Sequence, residues 1–497
     1  MSQINISNLT FEYDGSYDRI FDNVSFTIDT NWRLGFIGRN GRGKTTFLKL
    51  LMGSYEYRGT ITANVGFEYF PFDVRDSSPT ATTLDIAYKI CPYLEQWELE
   101  RELDLMDFDT DKLFTPYKIM SPGEQTKLML AVLFLKENRF LLIDEPTNHL
   151  DSFSRRIVSD YLKSKKGFIL VSHDRNFVDN CVDHILSINR SNIELQQGNF
   201  SSWYENKTRQ DTFELSENEK LLKEIDRLNR AAQRSARWSD KAERSKIGFD
   251  PARKEKSIGL RSYEGEKSRK LMQQSKNYMR RKQDAAESKS KLLKNLERSD
   301  SLKLEQLEHF SNTLVYMSDV SVSYGTNTVC SNVGFTIRRG DRLAIKGRNG
   351  SGKSSIIKLI CGREITYTGV FKAAGGLVIS YVSQDTGSLH GSLSDYARSY
   401  GINESLFKAI LNKLDFKAEQ FDKDISDHSE GQKKKVLIAR SLCEKAHLHI
   451  WDEPLNFIDV VSRIQIEELI IRHQPTMIFV EHDEAFCRKI ATKEISL

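Results

Sequence analysis

Short apolar runs separated by polar and glycine-rich stretches mark both ends of this chain, and the pattern recurs. The runs over 4–9, 34–37, 141–143 and 168–171 are dominated by Ile, Leu, Val and Phe. The last three lack polar alternation, as parallel strands buried on both faces do. Runs over 343–345, 448–451 and 476–480 occupy the matching places in the second half. At 34–37 and 343–345 an apolar run leads through a glycine-rich loop into a helical pattern. This strand–loop–helix order predicts an α/β sheet in each half.

The middle of the chain reads differently. From about 207 to 310 it is Lys, Arg, Glu, Gln, Ser and Leu, with Pro251 as its one proline. Leu221, Ile225, Leu228 and Ala232 step by four, three and four residues, a helical stripe. Leu271-Met272, Tyr278-Met279, Ala285-Ala286 and Leu292-Leu293 recur every seven residues, a narrow coiled-coil-like seam. Gly248, Pro251, Gly259 and Gly265 interrupt the two patterns. The expectation is a helix of about 30 residues, a tip near 247–265 and a returning helix, with a reach on the order of 45 Å at ~1.5 Å per residue. The predicted organisation is therefore a domain over 1–205, a helical-hairpin linker over 206–310 and a second domain over 311–497. A solvated spacer would need neither two facing apolar seams nor a basic tip.

Charge sharpens the role of that linker. The 497 residues carry a net charge of only +4, yet 227–294 holds 21 Lys/Arg against 8 Asp/Glu. That is +13 on one segment, leaving −9 on the remainder. Such asymmetry points to a polyanionic partner for the linker. The 39% hydrophobic and 29% charged content suits a soluble globular protein. No apolar run approaches the ~18–20 residues of a membrane-spanning helix. Met1-Ser2-Gln3-Ile4-Asn5 has no basic-then-apolar leader pattern, and the six cysteines have no metal-type spacing. The simplest expectation is a cytoplasmic protein with reduced thiols.

Three sets of chemistry-bearing residues repeat in register. Gly38-Arg39-Asn40-Gly41-Arg42-Gly43-Lys44-Thr45-Thr46 returns as Gly347-Arg348-Asn349-Gly350-Ser351-Gly352-Lys353-Ser354-Ser355. Asp144-Glu145-Pro146 returns as Asp452-Glu453-Pro454, and Ser172-His173-Asp174 as Glu481-His482-Asp483. The offsets are 309, 308 and 309 residues, so one ATP-handling domain has been duplicated in tandem. In the first motif, glycines let backbone N–H groups turn inward on β- and γ-phosphates. Lys44 or Lys353 adds a positive charge, and the hydroxyl of Thr45 or Ser354 is placed for Mg²⁺. Asp144 and Asp452 end apolar strands, where a carboxylate can hold Mg²⁺ through water. Glu145 and Glu453 suit a base that orients the attacking water. His173 and His482 follow further strands, from which a side chain can reach a γ-phosphate. About 24 residues before each glutamate, Ser121-Pro122-Gly123-Glu124 and Ser429-Glu430-Gly431-Gln432 show the Ser-x-x-Glu/Gln start of a helix. A helix start is also an anion site.

These motifs resemble the Walker A, Walker B with D-loop, signature and switch-histidine segments of ATP-binding-cassette domains. Two such cassettes with a charged helical linker and no membrane domain are similar to the ABC-F subfamily. Within it, the long linker tip and the segments Glu145–Asp151 and Glu453–Asp459 resemble the Lsa/Vga-like antibiotic-resistance proteins. The resemblance implies head-to-tail cassettes with two ATPs between them. Lys44, Thr45, Asp144, Glu145 and His173 would face Ser429 and Gly431. Lys353, Ser354, Asp452, Glu453 and His482 would face Ser121 and Gly123. Tyr13 and Tyr324 would stack on adenine. It further implies a monomer that binds the ribosomal E site beside P-site tRNA and extends its linker toward the peptidyl-transferase centre. Arg234, Arg237, Lys241 and Arg244 on the helix, and Phe249, Arg253, Lys254 and Lys256 at the tip, are the candidate RNA contacts. Lincosamides, pleuromutilins and group A streptogramins would be the drugs.

Several positions depart from the family pattern. Phe72 stands where a Q-loop glutamine is expected, whereas the second copy keeps Gln384 as a candidate Mg²⁺ ligand. Pro122 and Glu430 replace signature glycines, and Glu430 brings a carboxylate toward a phosphate. Leu455 and Phe457 replace Thr and His. Two inequivalent ATP sites are therefore expected. A housekeeping translation factor of the same subfamily is the alternative reading. The ATPase subunit of a membrane transporter is a remoter one, which leaves the basic linker without a role.

Overall fold

The computed structural model describes residues 2–13, 19–72, 74, 80–148, 150–189, 192–247, 273, 277, 280, 307–325 and 327–497. The chain divides into two compact units, Met1–Trp203 with Ser301–Leu497, and Tyr204–Asp300. The first unit contains two α/β domains of one plan.

The strands of the first domain are β1 (Gln3–Glu12), β2 (Arg19–Asp29), β3 (Arg33–Ile37), β4 (Arg58–Thr62), β5 (Gly66–Phe70), β6 (Arg139–Asp144), β7 (Phe168–Val171), β8 (His184–Asn189) and β9 (Asn192–Gln197). The main sheet has the order β5-β6-β7-β3-β8-β9, parallel except for β9. A separate antiparallel sheet has the order β2-β1-β4. The second domain repeats this with β10 (Thr313–Tyr324), β11 (Asn327–Arg338), β12 (Arg342–Lys346), β13 (Thr366–Ala373), β14 (Ile379–Val382), β15 (Leu448–Asp452), β16 (Met477–Val480) and β17 (Lys493–Ser496). Its sheets run β14-β15-β16-β12-β17 and β11-β10-β13.

The apolar runs become strands because both of their faces are covered. Successive side chains in a strand point to opposite sides. Leu141 and Ile143 of β6, with Phe168 and Leu170 of β7, enter one core, shared with the helical segments between 83 and 134. Leu142, Ile169 and Val171 enter the other, beneath the β2-β1-β4 sheet and the helix Lys44–Leu51. Trp451 and Phe479 against Ile450 and Ile478 divide the second domain the same way. All four residues of β7 and all five of β15 are buried. Each large apolar side chain so buried contributes about 1.5–3 kcal/mol. The phosphate loops, acidic segments and histidine segments follow the C-terminal ends of these parallel strands, where open α/β sheets bind ligands.

One helix, which begins in the first unit and continues along the chain into the second, spans Phe200–Ile247, 48 residues rather than the expected 30. No glycine or proline interrupts the chain between Gly198 and Gly248. Ion pairs one turn apart, such as Arg230 with Asp226 at 2.7 Å, support its exposed surface. Its first residues belong to the folded domain: Phe200 is buried in the first core and Trp203 packs on it. Leu221 and Ile225 of the expected stripe are half-buried between exposed Lys223, Glu224 and Asp226, while the side chains of Leu228 and Ala232 lie outside the described residues. Arg234, Arg237, Lys241 and Arg244 lie within the helix. The expected tip beyond Ile247, with Phe249, Arg253, Lys254 and Lys256, lies outside the described residues, as does the returning helix apart from helical Gln273, Asn277 and Arg280. Among the described residues no helix is long and apolar enough to cross a membrane.

Candidate functional site: paired phosphate loops across two domains

Each phosphate loop joins a buried strand to a helix N-terminus. Gly43 caps the helix Lys44–Leu51 in the left-handed region, at φ 93°. A Cβ there would lie 2.4 Å from Ile20 Cγ2, so glycine is required by both backbone and space. Lys44 Nζ donates to the carbonyls of Gly38 (2.8 Å) and Arg39 (3.1 Å) and to Asn40 Oδ1 (3.4 Å). Lys353 Nζ donates to those of Gly347 (3.0 Å) and Arg348 (2.8 Å). Burial pulls both ammonium groups below the usual lysine range, so a phosphate there would meet cations stripped of water. Gly41 and Gly350 have open space around Cα. Tyr13 and Tyr324 stand at equivalent places beside these helices. Tyr13 Oη lies 2.8 Å from Thr46 Oγ1, and Tyr324 Oη donates to Ser355 Oγ at 3.3 Å. Both rings keep an exposed face.

The acidic strand ends are pinned to the histidine strands. Glu145 and Glu453 are both left-handed, with φ 51° and 47°, a conformation that costs a non-glycine residue about 1–3 kcal/mol. Backbone hydrogen bonds hold them: Glu145 N–H to Val171 O (2.8 Å) and Glu453 N–H to Val480 O (3.0 Å). The turn thereby aims each carboxylate at the histidine following the neighbouring strand. His173 Nε2 is 3.3 Å from Glu145 Oε1, and His482 Nε2 is 3.4 Å from Glu453 Oε1. Burial, then the Lys44 charge, holds the His173 imidazolium well below the usual range, so the ring is neutral.

The residues present fit Mg²⁺. Thr45 Oγ1 donates to Asp144 Oδ2 at 2.8 Å. Ser354 hydrogen-bonds Asp452, whose other oxygen, Oδ1, is buried with no hydrogen-bond partner. Hydroxyl, carboxylate and amide oxygens are hard ligands of the kind Mg²⁺ takes. Among the described residues no group of three or more His, Cys, Asp or Glu is arranged to hold a metal. A cation here would draw its remaining ligands from phosphate and water.

The domains meet head to tail. Asn40 Nδ2 donates to Phe457 O at 2.8 Å. Gly431 lies in the same contact: a Cβ on it would fall 2.4 Å from Phe457 O and 3.2 Å from Asn40 Nδ2. On the other side, a cleft of about 950 Å³ is lined by Ser121 and Gly123 of one domain and by Gly350, Gly352, Lys353, Ser354, Ser355, Gln384, Glu453 and His482 of the other. Asn349 N–H donates to Asp151 Oδ2 at 3.3 Å, and Ser152 Oγ lies 3.3 Å from His482 Nδ1. Asp151 and Ser152 thus join this cross-domain contact, a place that residue-by-residue reading did not assign them. Their signal is the recurring aspartate, Asp151 after Leu150 and Asp459 after Ile458, that follows each acidic strand end and caps the next helix.

The ABC transporter family model matches residues 21–148 and again 330–456. The chain belongs to this family. It is an ATPase with two ATP-binding cassettes. Similar proteins include "Ribosome protection protein VmlR" of Bacillus subtilis, 27% identical over 506 residues, covering 99% of this chain and 86% of that protein. Another is "ATP-binding protein Uup" of Buchnera aphidicola, 26% identical, covering 99% and 80%. Among solved structures, the archaeal ribosome recycling factor aABCE1, in complex with the stalk protein aP1, shares the fold. Its TM-score is 0.63 at 17% identity, over 98% of this chain and 87% of that one.

The two cassettes depart from one another around their glutamates. Glu453 accepts hydrogen bonds from Gln384 Nε2 and Asn456 Nδ2, each at 2.8 Å. Burial raises its pKa, but the His482 and Asn456 hydrogen bonds and nearby positive charge outweigh it, holding the carboxyl below its ordinary range. At the counterpart of Gln384, Phe72 packs on the first core, with Lys136 Nζ 5.9 Å from its ring centroid. Tyr69 donates to Asp144 Oδ2 at 2.9 Å. Burial, then the Asp144 charge, pushes the Glu145 carboxyl up to about 8. The signature substitutions are absorbed locally. Pro122 occupies the first turn of its helix, where an N–H has no helical partner, and Ser121 with Glu124 forms a full capping box. Glu430 is held by the Thr386 hydroxyl, with Lys433 Nζ 3.8 Å away, so a basic group offsets its charge. Leu455 lacks the hydroxyl that Thr147 shares with Ser172, and Glu481 compensates by accepting from the Leu455 N–H at 2.7 Å.

A hydrogen bond to a charged group contributes about 1.5–3 kcal/mol. The better-held Glu453 should therefore carry most of the turnover. Glu453→Gln is expected to reduce steady-state ATP hydrolysis roughly fivefold or more beyond Glu145→Gln, about 1 kcal/mol. Equal rates for the two purified single variants would contradict this.

Proposed function

We propose that this chain is an ATP-driven, ribosome-binding protein of the ABC-F type. It protects the peptidyl-transferase centre from lincosamides, pleuromutilins and group A streptogramins. The observation that carries the reading is the segment between the cassettes: a helix of 48 residues whose later part opens a stretch, 227–294, with a net charge of +13. A transporter motor has no use for such a segment, whereas ribosomal RNA is a phosphate surface of matching sign. The name of the Bacillus subtilis relative, a ribosome protection protein, supports it.

In this reading the cassettes over 1–205 and 311–497 close on two ATPs within one cytoplasmic monomer, and the linker over 206–310 enters the E site. Lys44 and Lys353 hold phosphates. Thr45 with Asp144, and Ser354 with Asp452 and Gln384, would hold Mg²⁺, which offsets phosphate charge when bound. Glu145 and Glu453 take a proton from the attacking water, and His173 and His482 orient the γ-phosphate. Ser121, Gly123, Ser429 and Gly431 complete each site from the opposite cassette, with Tyr13 and Tyr324 against adenine. Arg234, Arg237, Lys241 and Arg244 pair with phosphates of ribosomal RNA or P-site tRNA. At the tip, Phe249 stacks on an unpaired base while Arg253, Lys254 and Lys256 hold its backbone.

Two measurements test it. Expression in a susceptible strain should raise minimum inhibitory concentrations for these drug classes. Unchanged values with intact ribosome binding would favour a housekeeping translation factor. Replacing Arg234, Arg237, Lys241 and Arg244 with Gln should weaken ribosome binding and flatten its dependence on log salt by roughly one for each phosphate pairing removed. A salt slope equal to that of the unmodified protein would mean that these charges face solvent.

A further inference from the structure

One cross-cassette contact is made by a residue outside the repeated motifs. Arg175 follows the His173-Asp174 pair directly and starts the helix Arg175–Cys181. Its side chain leaves the first cassette. Its Nη1 donates to Glu467 Oε2 at 3.3 Å, its Nη2 donates to Glu467 Oε1, and its Nη2 also lies 3.6 Å from Asp483 Oδ2. The guanidinium thus grips one carboxylate with two nitrogens and touches a second, and both carboxylates are fully buried. Arginine suits this because its fork meets a carboxylate bidentately and cannot lose its charge.

Asp483 is the neighbour of His482 and the cap of the following helix, accepting from Phe486 N–H at 3.0 Å. Its other oxygen accepts from Arg463 Nη1 of its own cassette at 3.0 Å. The equivalent Asp174 is held by Arg155 at 2.9 Å and caps its helix alike. The second histidine turn is thus braced from both cassettes, through Arg463 and Arg175. No mirror-image brace is possible for the first. Glu484 occupies the position of Arg175 and carries the opposite charge, while Ser159 occupies that of Glu467. Glu484 instead pairs with Arg156 at 3.5 Å and Arg488 at 2.9 Å. His482 itself meets the first cassette at Ser152, so the brace and the histidine touch the same partner cassette.

We propose that Arg175 is a positioning residue for ATP turnover at the second site, reaching across from the first cassette to hold the Asp483 turn that carries His482. It makes hydrolysis there depend on cassette closure, because separating the cassettes removes Arg175 from Glu467 and Asp483 together. The first site, although also completed by residues of the opposite cassette, has no equivalent brace on its histidine turn.

The proposal rests on Glu145 and Glu453 serving separate sites, so the test uses each single glutamine variant as a one-site enzyme. In Glu145→Gln, where the second site turns over, adding Arg175→Ala should lower kcat roughly tenfold, about 1.4 kcal/mol. KM for ATP should stay within about twofold, because the residue orients rather than binds. In Glu453→Gln, where the first site turns over, the same substitution should change kcat by less than about twofold. Arg175→Lys, which keeps the charge, should recover part of the loss and controls for misfolding. Equal losses at both sites would mean a general docking contact and overturn the proposal, as would no loss at the second. If neither glutamine variant slows hydrolysis, the assignment of the glutamates falls and the brace is judged by a double-mutant cycle on the unmodified sites. Coupling of Arg175→Ala with Glu467→Gln must then exceed about twofold in kcat, and additive effects would refute it.

Discussion

Replacing Glu145 and Glu453 together with Gln is expected to cut ATP hydrolysis by at least about 100-fold while leaving ATP binding intact, since a positioned general base contributes 10²–10⁴-fold. Both carboxylates sit at the same backbone turn, pinned by an N–H bond to the histidine strand and facing an imidazole nitrogen at 3.3 and 3.4 Å. Glutamine keeps the size and one acceptor oxygen but cannot take a proton. The phosphate-gripping groups, Lys44 and Lys353, are untouched. The closed cassettes should therefore persist with nucleotide between them. If closure is what keeps the protein on the ribosome, the double variant should be retained there and should slow growth. Hydrolysis by the purified double variant within a few-fold of the unmodified rate would remove these residues from the mechanism.

The second large effect concerns the linker tip. Replacing 247–257 with a short Gly-Ser turn should return drug susceptibility to that of cells lacking the protein, a complete loss of protection. ATP hydrolysis and thermal stability should stay unchanged. Among the described residues, the cores of both cassettes are built from the unit 1–203 with 301–497. The aromatic Phe249 beside Arg253, Lys254 and Lys256 is suited to displacing a base without touching the drug. Unmodified inhibitory concentrations in a stable, ribosome-binding variant would show that another element protects.

Much of the site was legible because its chemistry is local. A phosphate loop needs glycines, a lysine and a hydroxyl within one turn, and an acidic strand end needs a short apolar run before it. Duplication in register made each copy evidence for the other. The antiparallel sheets were harder to read. Asn8 and Asp319 take positive φ inside β1 and β10, and register shifts beside them break the two-residue alternation that marks a strand. The helix Phe200–Ile247 was underestimated because its exposed surface lacks an apolar periodicity over much of its length, and only the absence of breakers shows its extent. Least legible were the pairs that join the cassettes. Arg39 with Asp415 at 2.9 Å spans most of the chain, and so does Arg175 with Glu467. Nothing local distinguishes a buried glutamate in Val460–His473 from one facing water. Phe72 was recognisable as a departure, but its place in the core is a tertiary fact.

In the proposed function, ATP held between the cassettes places this chain on the ribosome. Its most direct measurement is co-sedimentation of the purified protein with ribosomes, comparing unmodified chain and the Glu145→Gln, Glu453→Gln double variant in ATP and in ADP. Strong retention of the double variant with ATP, loss with ADP and weaker retention of the unmodified, hydrolysing protein are expected. Equal recovery of both proteins in the ribosome-free fraction, whatever the nucleotide, would contradict it.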